Sequence, residues 1–237
     1  MLFWIIPLII GIILLLVFLV FRVKEKRVIA VIIKSVVSLM FIITAIVAWK
    51  TSTNPNHPFG ICVLVGLILG LFGDVFLDLK YIVLKHELLF TILGFIAFAL
   101  GHTAYISGLF TFFYNYNETY LYLIVPIIIA TALTVFTVLM EKFTPIRYNQ
   151  MKPFVAVYGF VLFFVTSIYF SVALQGNWSV TPINIMAISF ILFALSDLIL
   201  NNTYFSKGFT APVYIVTNHL LYYAAQFAIA VALFYLI

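Results

Sequence analysis

Lys34, Asp74, Asp78, His102, Asp197 and His219 interrupt long apolar runs of this 237-residue chain. An ionisable group within an apolar run is costly to keep, so each is a candidate for function. Asp74 and Asp197 matter most. Two carboxyl groups brought together in a low-dielectric site cannot both ionise cheaply, so one serves as acid and the other as base. Glycoside hydrolysis uses this division: an acid protonates the leaving oxygen and a carboxylate activates water. Other chemistries have less support. The chain has no G-x-S-x-G motif for a serine nucleophile. His102 and His219 form no H-x-x-x-H pair, and the single Cys62 excludes a disulfide framework and a cysteine zinc site. A two-carboxylate hydrolase is the enzyme these residues permit, but they do not single out its substrate.

Long apolar elements must position these groups. The chain is 66% hydrophobic and 8% charged, with mean hydropathy +1.26. A soluble domain carries about 25% charged residues, so the solvent of this one is lipid. Each crossing needs about 20 apolar residues, and we read eight spans at 2–21, 28–49, 60–79, 87–112, 119–140, 153–174, 182–202 and 211–237. Lipid offers no partner for backbone polar groups, so the spans are helices. The expected fold is an all-α membrane bundle of eight transmembrane helices, a single integral membrane domain over 1–237. The first run precedes its positive cluster and is read as an uncleaved helix.

Net charge is +5. The basic residues gather on alternate connectors: Arg22, Lys24, Lys26 and Arg27; Lys80 and Lys85; Lys142, Arg147 and Lys152; Lys207. The remaining connectors carry only Lys50. Positive connectors stay cytoplasmic, so both termini are expected outside, in a multi-pass protein of a bacterial inner (plasma) membrane. This bias reflects topology and not nucleic-acid binding. Tyr114, Tyr116, Tyr120, Tyr122 and Trp178 then belong at the outer interface.

Helical rise converts position into depth. Measured from the cytoplasmic ends, Lys34 is expected roughly 9 Å in, Asp74 and Asp197 about 8 Å, and His219 about 12 Å; His102 is the exception at roughly 22 Å. Gly66, Gly70, Asp74 and Asp78 form one i, i+4 stripe, and its glycines admit a close neighbour. Asp74 is therefore expected in a packed interior, and Asp78, nearer the helix end, at the headgroups. Asp197 follows Ser196 and needs a partner or a proton, for which Lys34 is a candidate. His219, Tyr222, Tyr223 and Gln226 form an inward stripe beside Asn218. His219 is open to two readings, a hydrogen-bonded core residue or a catalyst. Gly94, Gly101, His102, Tyr105 and Gly108 point to tight packing, with His102 bridging helices.

Four segments carry a resemblance. They are Gly70-Leu-Phe-Gly-Asp74-Val-Phe-Leu77; Gly94-Phe-Ile-Ala-Phe98 running into Leu100-Gly-His102-Thr-Ala-Tyr105; Phe193-Ala-Leu-Ser196-Asp197; and Tyr222-Tyr223-Ala-Ala-Gln226. In order and spacing they resemble the YhhN-type lysoplasmalogenase family of membrane hydrolases. Lys34 is similar to a lysine early in that family's second helix, although Ser35 follows here where proline is expected. The resemblance implies eight helices and hydrolysis of the vinyl ether bond of lysoplasmalogens, which yields a fatty aldehyde and glycerophospho-ethanolamine or -choline. It implies Asp74 and Asp197 as the catalytic pair, with no metal or organic cofactor. Lys34 would hold the substrate phosphate or tune an Asp. Tyr105, Tyr222, Tyr223 and Gln226 would line the lipid slot, with Ser196, His102 and His219 in support. The expected partner is a lysophospholipid entering from the membrane; a homodimer is left open. Competing readings are a small-molecule or proton-coupled transporter using the intramembrane Asp and His residues, a non-enzymatic lipid-binding scaffold, and a hydrolase of a related ether or ester lipid.

Overall fold

A computed structural model of the chain describes residues 2–25, 27–55, 57–113, 121–206 and 211–236. Eight helices are long and apolar enough to cross a membrane: α1 (Ile5–Val23), α2 (Arg27–Lys50), α3 (Pro58–Leu79), α4 (Glu87–Phe113), α5 (Leu121–Leu139), α6 (Lys152–Gln175), α7 (Thr181–Phe205) and α8 (Pro212–Ala232). They match the expected spans to within a few residues, and the chain is a multi-pass membrane protein. Lys26, Tyr114, Tyr116, Tyr120 and Lys207 lie outside the described residues, as does the side chain of Tyr122.

Local chemistry places the boundaries. Proline stands at the start of α3, α6, α7 and α8, where its missing N–H costs nothing and its fixed φ suits a helix. His57 caps α3 by accepting the Phe59 N–H on Nδ1. The α6–α7 connector turns through Asn177 and Trp178, both at positive φ, and Trp178 is half-exposed there.

Helices α2, α3, α4, α6, α7 and α8 close into a ring of packed neighbours, with α8 touching both α2 and α3 across it; α1 lies against α2 and α8, and α5 against α6. The outward residues Ile13, Ile128 and Val157 are exposed, as expected where lipid covers the surface. Glycine enables the closest seam. A Cβ on Gly66 would fall 2.3 Å from the Tyr105 ring, and one on Gly101 would fall 3.1 Å from the Gly66 carbonyl. Thus α3 and α4 meet almost backbone to backbone. At the other side of the ring, Ile146 and Ser206 form an isolated bridge. It ties the α5–α6 connector to the end of α7.

Candidate active site

A cavity of about 350 Å³ opens among the ends of α1, α3 and α7 and the beginnings of α2, α4, α6 and α8. This is the end that bears the basic connectors. Its volume falls within the range of small-molecule sites. Asp74 and Asp197 both line it, together with Lys34, Asp78, Ser196, His219 and Tyr222.

The Asp74 side is densely bonded. Asp74 is buried, at 2% exposure. Its Oδ1 lies 3.2 Å from Lys34 Nζ. Its Oδ2 accepts from the Ser38 hydroxyl at 2.6 Å and from the Tyr222 hydroxyl at 2.7 Å. A second layer orients these donors. Gln226 Nε2 donates to the Tyr222 oxygen at 2.9 Å, which directs the phenol proton at the carboxylate. The Ser38 proton is committed to Asp74, so the Tyr223 hydroxyl, 3.1 Å away, donates to the Ser38 oxygen. Three donors, one of them an ammonium, thus converge on Asp74 and favour its charged form.

Asp78 is buried too, at 1% exposure. The headgroup placement expected for it is corrected here: its Oδ1 pairs with Lys34 at 3.3 Å and with the Arg22 guanidinium at 3.7 Å. Two cations therefore balance two carboxylates, as buried charges require. Lys34 is engaged by Asp74 and Asp78, and not by Asp197, for which it was a candidate partner.

Asp197 differs. It is partly buried, and among the described residues no cation comes within 4.0 Å of it. Among the described residues it is the Tyr158 hydroxyl of α6 that donates to its Oδ2. His102 Nε2 lies 3.5 Å from the same hydroxyl. The depth separation expected for His102 is therefore spanned by one phenol, because Tyr158 reaches up from the lower part of α6. Among the described residues, neither His102 Nδ1 nor the Tyr105 hydroxyl has a hydrogen-bond partner. Next to Asp197, Ser196 and Asn218 clasp α7 to α8. The Ser196 hydroxyl donates to the Asn218 carbonyl at 3.1 Å, and Asn218 Nδ2 donates to the Ser196 carbonyl at 2.8 Å. This sets the register of Asp197 against Tyr222. His219 donates from Nδ1 to the Ile215 carbonyl at 2.7 Å, since a carbonyl can only accept.

Of the residues expected to line a lipid slot, only Tyr222 faces the cavity. Tyr223 and Gln226 stand behind it as supports. Tyr105 fills the space over Gly66. Sequence reasoning missed Ser38, Tyr158 and Arg22 as site residues, and it set Asp78, one of its candidates, at the headgroups. Ser38 was detectable, being one turn from Lys34 on the same helix face. Arg22 was counted only as a topological charge. A lone tyrosine in an apolar helix gives Tyr158 no signal at all.

A model of the YhhN family matches residues 29–233. The chain belongs to the YhhN family. No curated protein and no solved structure matches it. The matched range takes in both carboxylates, their donors and the whole helical ring, and leaves out only α1 and the extreme ends. Arg22, the counter-charge to Asp78, thus lies outside the YhhN match. Among the described residues no group of three or more His, Cys, Asp or Glu is placed to hold a metal ion. At the cavity rim, Arg22 sits over the Tyr81 ring at 4.3 Å and Arg27 donates to the Tyr81 carbonyl at 3.4 Å. Lys80, just past the end of α3, has its ammonium 3.1 Å from the centre of the Tyr204 ring. Burial pushes that ammonium down to about 7, against the pull of Glu87 and Asp78.

Proposed function

We propose that this YhhN protein hydrolyses the vinyl ether bond of lysoplasmalogens, with Asp197 as proton donor and Asp74 as carboxylate base. The observation that carries the proposal is the asymmetry of two carboxyls on one cavity. Asp74 has an ammonium and two hydroxyls to stabilise its charge, whereas Asp197 has one phenol and no cation. Environments that treat two acids so differently assign them opposite roles.

In the reaction, Asp197 delivers its proton to the alkene carbon distal to the ether oxygen. An oxocarbenium ion forms, and the Asp74 carboxylate stabilises it electrostatically. Asp74 then takes a proton from the water that attacks the carbon bonded to oxygen, giving a hemiacetal. Collapse reverses the roles. Asp74 returns its proton to the departing ether oxygen as Asp197 takes the proton of the hemiacetal hydroxyl. The products are an aldehyde and a free glycerol hydroxyl, and both residues recover their starting states. Lys34 holds Asp74 in place. Arg22 and Arg27 at the rim suit the substrate phosphate.

The transporter reading lacks comparable support. Most residues lining the cavity lie toward the end that bears the basic connectors, and the deepest, Phe98 and Tyr222, reach only the middle of their helices, which describes a pocket and not a path across the bilayer.

The test is aldehyde release from lysoplasmenylethanolamine by the purified protein in detergent, followed with a coupled dehydrogenase. General acid–base groups contribute about 10²–10⁴-fold, so Asp74→Asn and Asp197→Asn are each expected to lose at least about 10²-fold while keeping the wild-type elution profile. Full activity in either variant removes that residue from its role. Release of a fatty acid from the acyl analogue, without aldehyde from the vinyl ether, would replace the substrate.

A further inference from the structure

Behind Asp197 and Tyr158 lies a second, narrower pocket of about 50 Å³ between α5, α6 and α7. It shares Phe95, Tyr158, Asp197, Leu200 and Tyr204 with the main cavity, so the two are divided only by the wall that carries the proton donor. Elsewhere Val155, Gly159, Leu162, Phe163, Leu198 and Phe205 line it. Its polar members are spent on other partners: Thr137 donates to the Leu133 carbonyl, and Asn201 donates to the Tyr148 hydroxyl. The pocket therefore offers apolar contact. Leu198 is 42% exposed, so the pocket reaches the outer, lipid-facing surface of the bundle. From Val155 to Phe163 it follows α6 for about 12 Å.

We propose that the aliphatic chain of the substrate leaves the vinyl ether through this pocket, with Gly159 keeping that path open to the lipid. The inference rests on the reading of the site as one for a lysolipid, and it goes beyond that reading by assigning the path of the chain. An amphiphile with one chain has its vinyl ether where the polar glycerol meets the hydrocarbon. The protein has the matching junction: charged rim and cavity on one side of Asp197, narrow apolar pocket on the other. The reacting bond is thereby delivered to the wall both chambers share. The narrowness suits one unbranched chain and excludes a headgroup. Gly159 is the position that leaves the pocket open. A Cβ there would make ordinary van der Waals contacts, with Thr134 Cγ2 at 3.9 Å and Phe163 Cε2 at 4.0 Å, so a methyl fits and a larger side chain narrows the path.

Two readouts test the proposal. The first uses a non-hydrolysable alkyl-ether lysophosphoethanolamine carrying a diazirine at the end of its chain. Photolysis with the wild-type protein is expected to label peptides of α6 and α7, and Gly159→Leu is expected to lower that labelling at least tenfold. Labelling confined to other helices overturns the proposal, and so does labelling suppressed equally by a diacyl phospholipid, which would make the pocket a general lipid groove. The second readout compares kcat/KM for a propenyl substrate, too short to enter the pocket, and an octadecenyl substrate, whose chain must pass Gly159. Gly159→Leu is expected to lower the long-to-short ratio at least tenfold with the wild-type elution profile retained; Gly159→Ala should give a smaller change in the same direction. An unchanged ratio overturns the proposal. If the wild-type protein releases no aldehyde but is labelled in the Gly159-dependent way, the chain path stands and the vinyl ether chemistry falls.

Discussion

Asp74 and Asp197 are the same residue type in opposite circumstances, and the difference comes from donors on other helices. Ser38 and Lys34 reach Asp74 from α2 and Tyr222 reaches it from α8, whereas Tyr158 alone reaches Asp197 from α6. That makes Tyr158 the more informative residue to change. Tyr158→Phe preserves the ring contacts with Phe95 and His102 and deletes only the hydroxyl. On the proposed roles, Asp197 then loses the donor that orients it, so kcat is expected to fall by about 10- to 100-fold, at or below the lower range for a general acid–base group, with KM little changed. Steady-state kinetics on the vinyl ether substrate would decide. A rise in KM alone would mean that Tyr158 only shapes the cavity wall.

At the scale of the element, the α3–α4 seam shows what the glycine stripe does. The i, i+4 spacing correctly announced a close approach, and Asp74 does lie on the packed face. The partner of each glycine was not visible, because the facing ring is chosen by rotation of α4 about its own axis. Gly66 is covered by Tyr105 and Gly70 by Gln226. On α6, by contrast, a Cβ on Gly159 would make only ordinary van der Waals contacts. Gly66→Ala is therefore expected to destabilise the protein by about 1–3 kcal/mol through overpacking, and Gly159→Ala to leave stability near wild type. Unfolding in mixed detergent and SDS micelles measures both. Equal stability of the two variants would show that the α3–α4 seam relaxes freely.

For the whole molecule, the charges gather at one end, and one of them, Lys80, is held under a tyrosine ring beside the cavity. Its ammonium is driven to about 7 by burial, against about 10.4 in an unfolded chain. Between those values the unfolded state binds the extra proton, so stability rises with pH from about 7 toward about 10. The Tyr204 face works the other way, since a ring attracts a cation, but burial is the larger effect. The thermal midpoint of the wild-type protein is expected to climb between pH 7 and pH 9 relative to Lys80→Met, which lacks the titrating group. Parallel curves for the two proteins would place the Lys80 ammonium in contact with water.

Composition and the lengths of the apolar runs determined the eight helices and their boundaries, because a bilayer demands a minimum length and leaves backbone groups no partner but the helix itself. Sequence motifs likewise singled out Asp74 and Asp197. The tertiary structure decided the pairings. Depth along a helix can be counted from position, but which neighbour a side chain faces depends on rotation and tilt between helices far apart in the chain. Lys34 turned to Asp74 and Asp78 and left Asp197 without a cation; Asp78 moved from the headgroups to the interior; Tyr158 became the partner of Asp197. The pairing of Lys34 and the burial of Asp78 follow from one requirement, that a charge deprived of water must find its complement across the bundle.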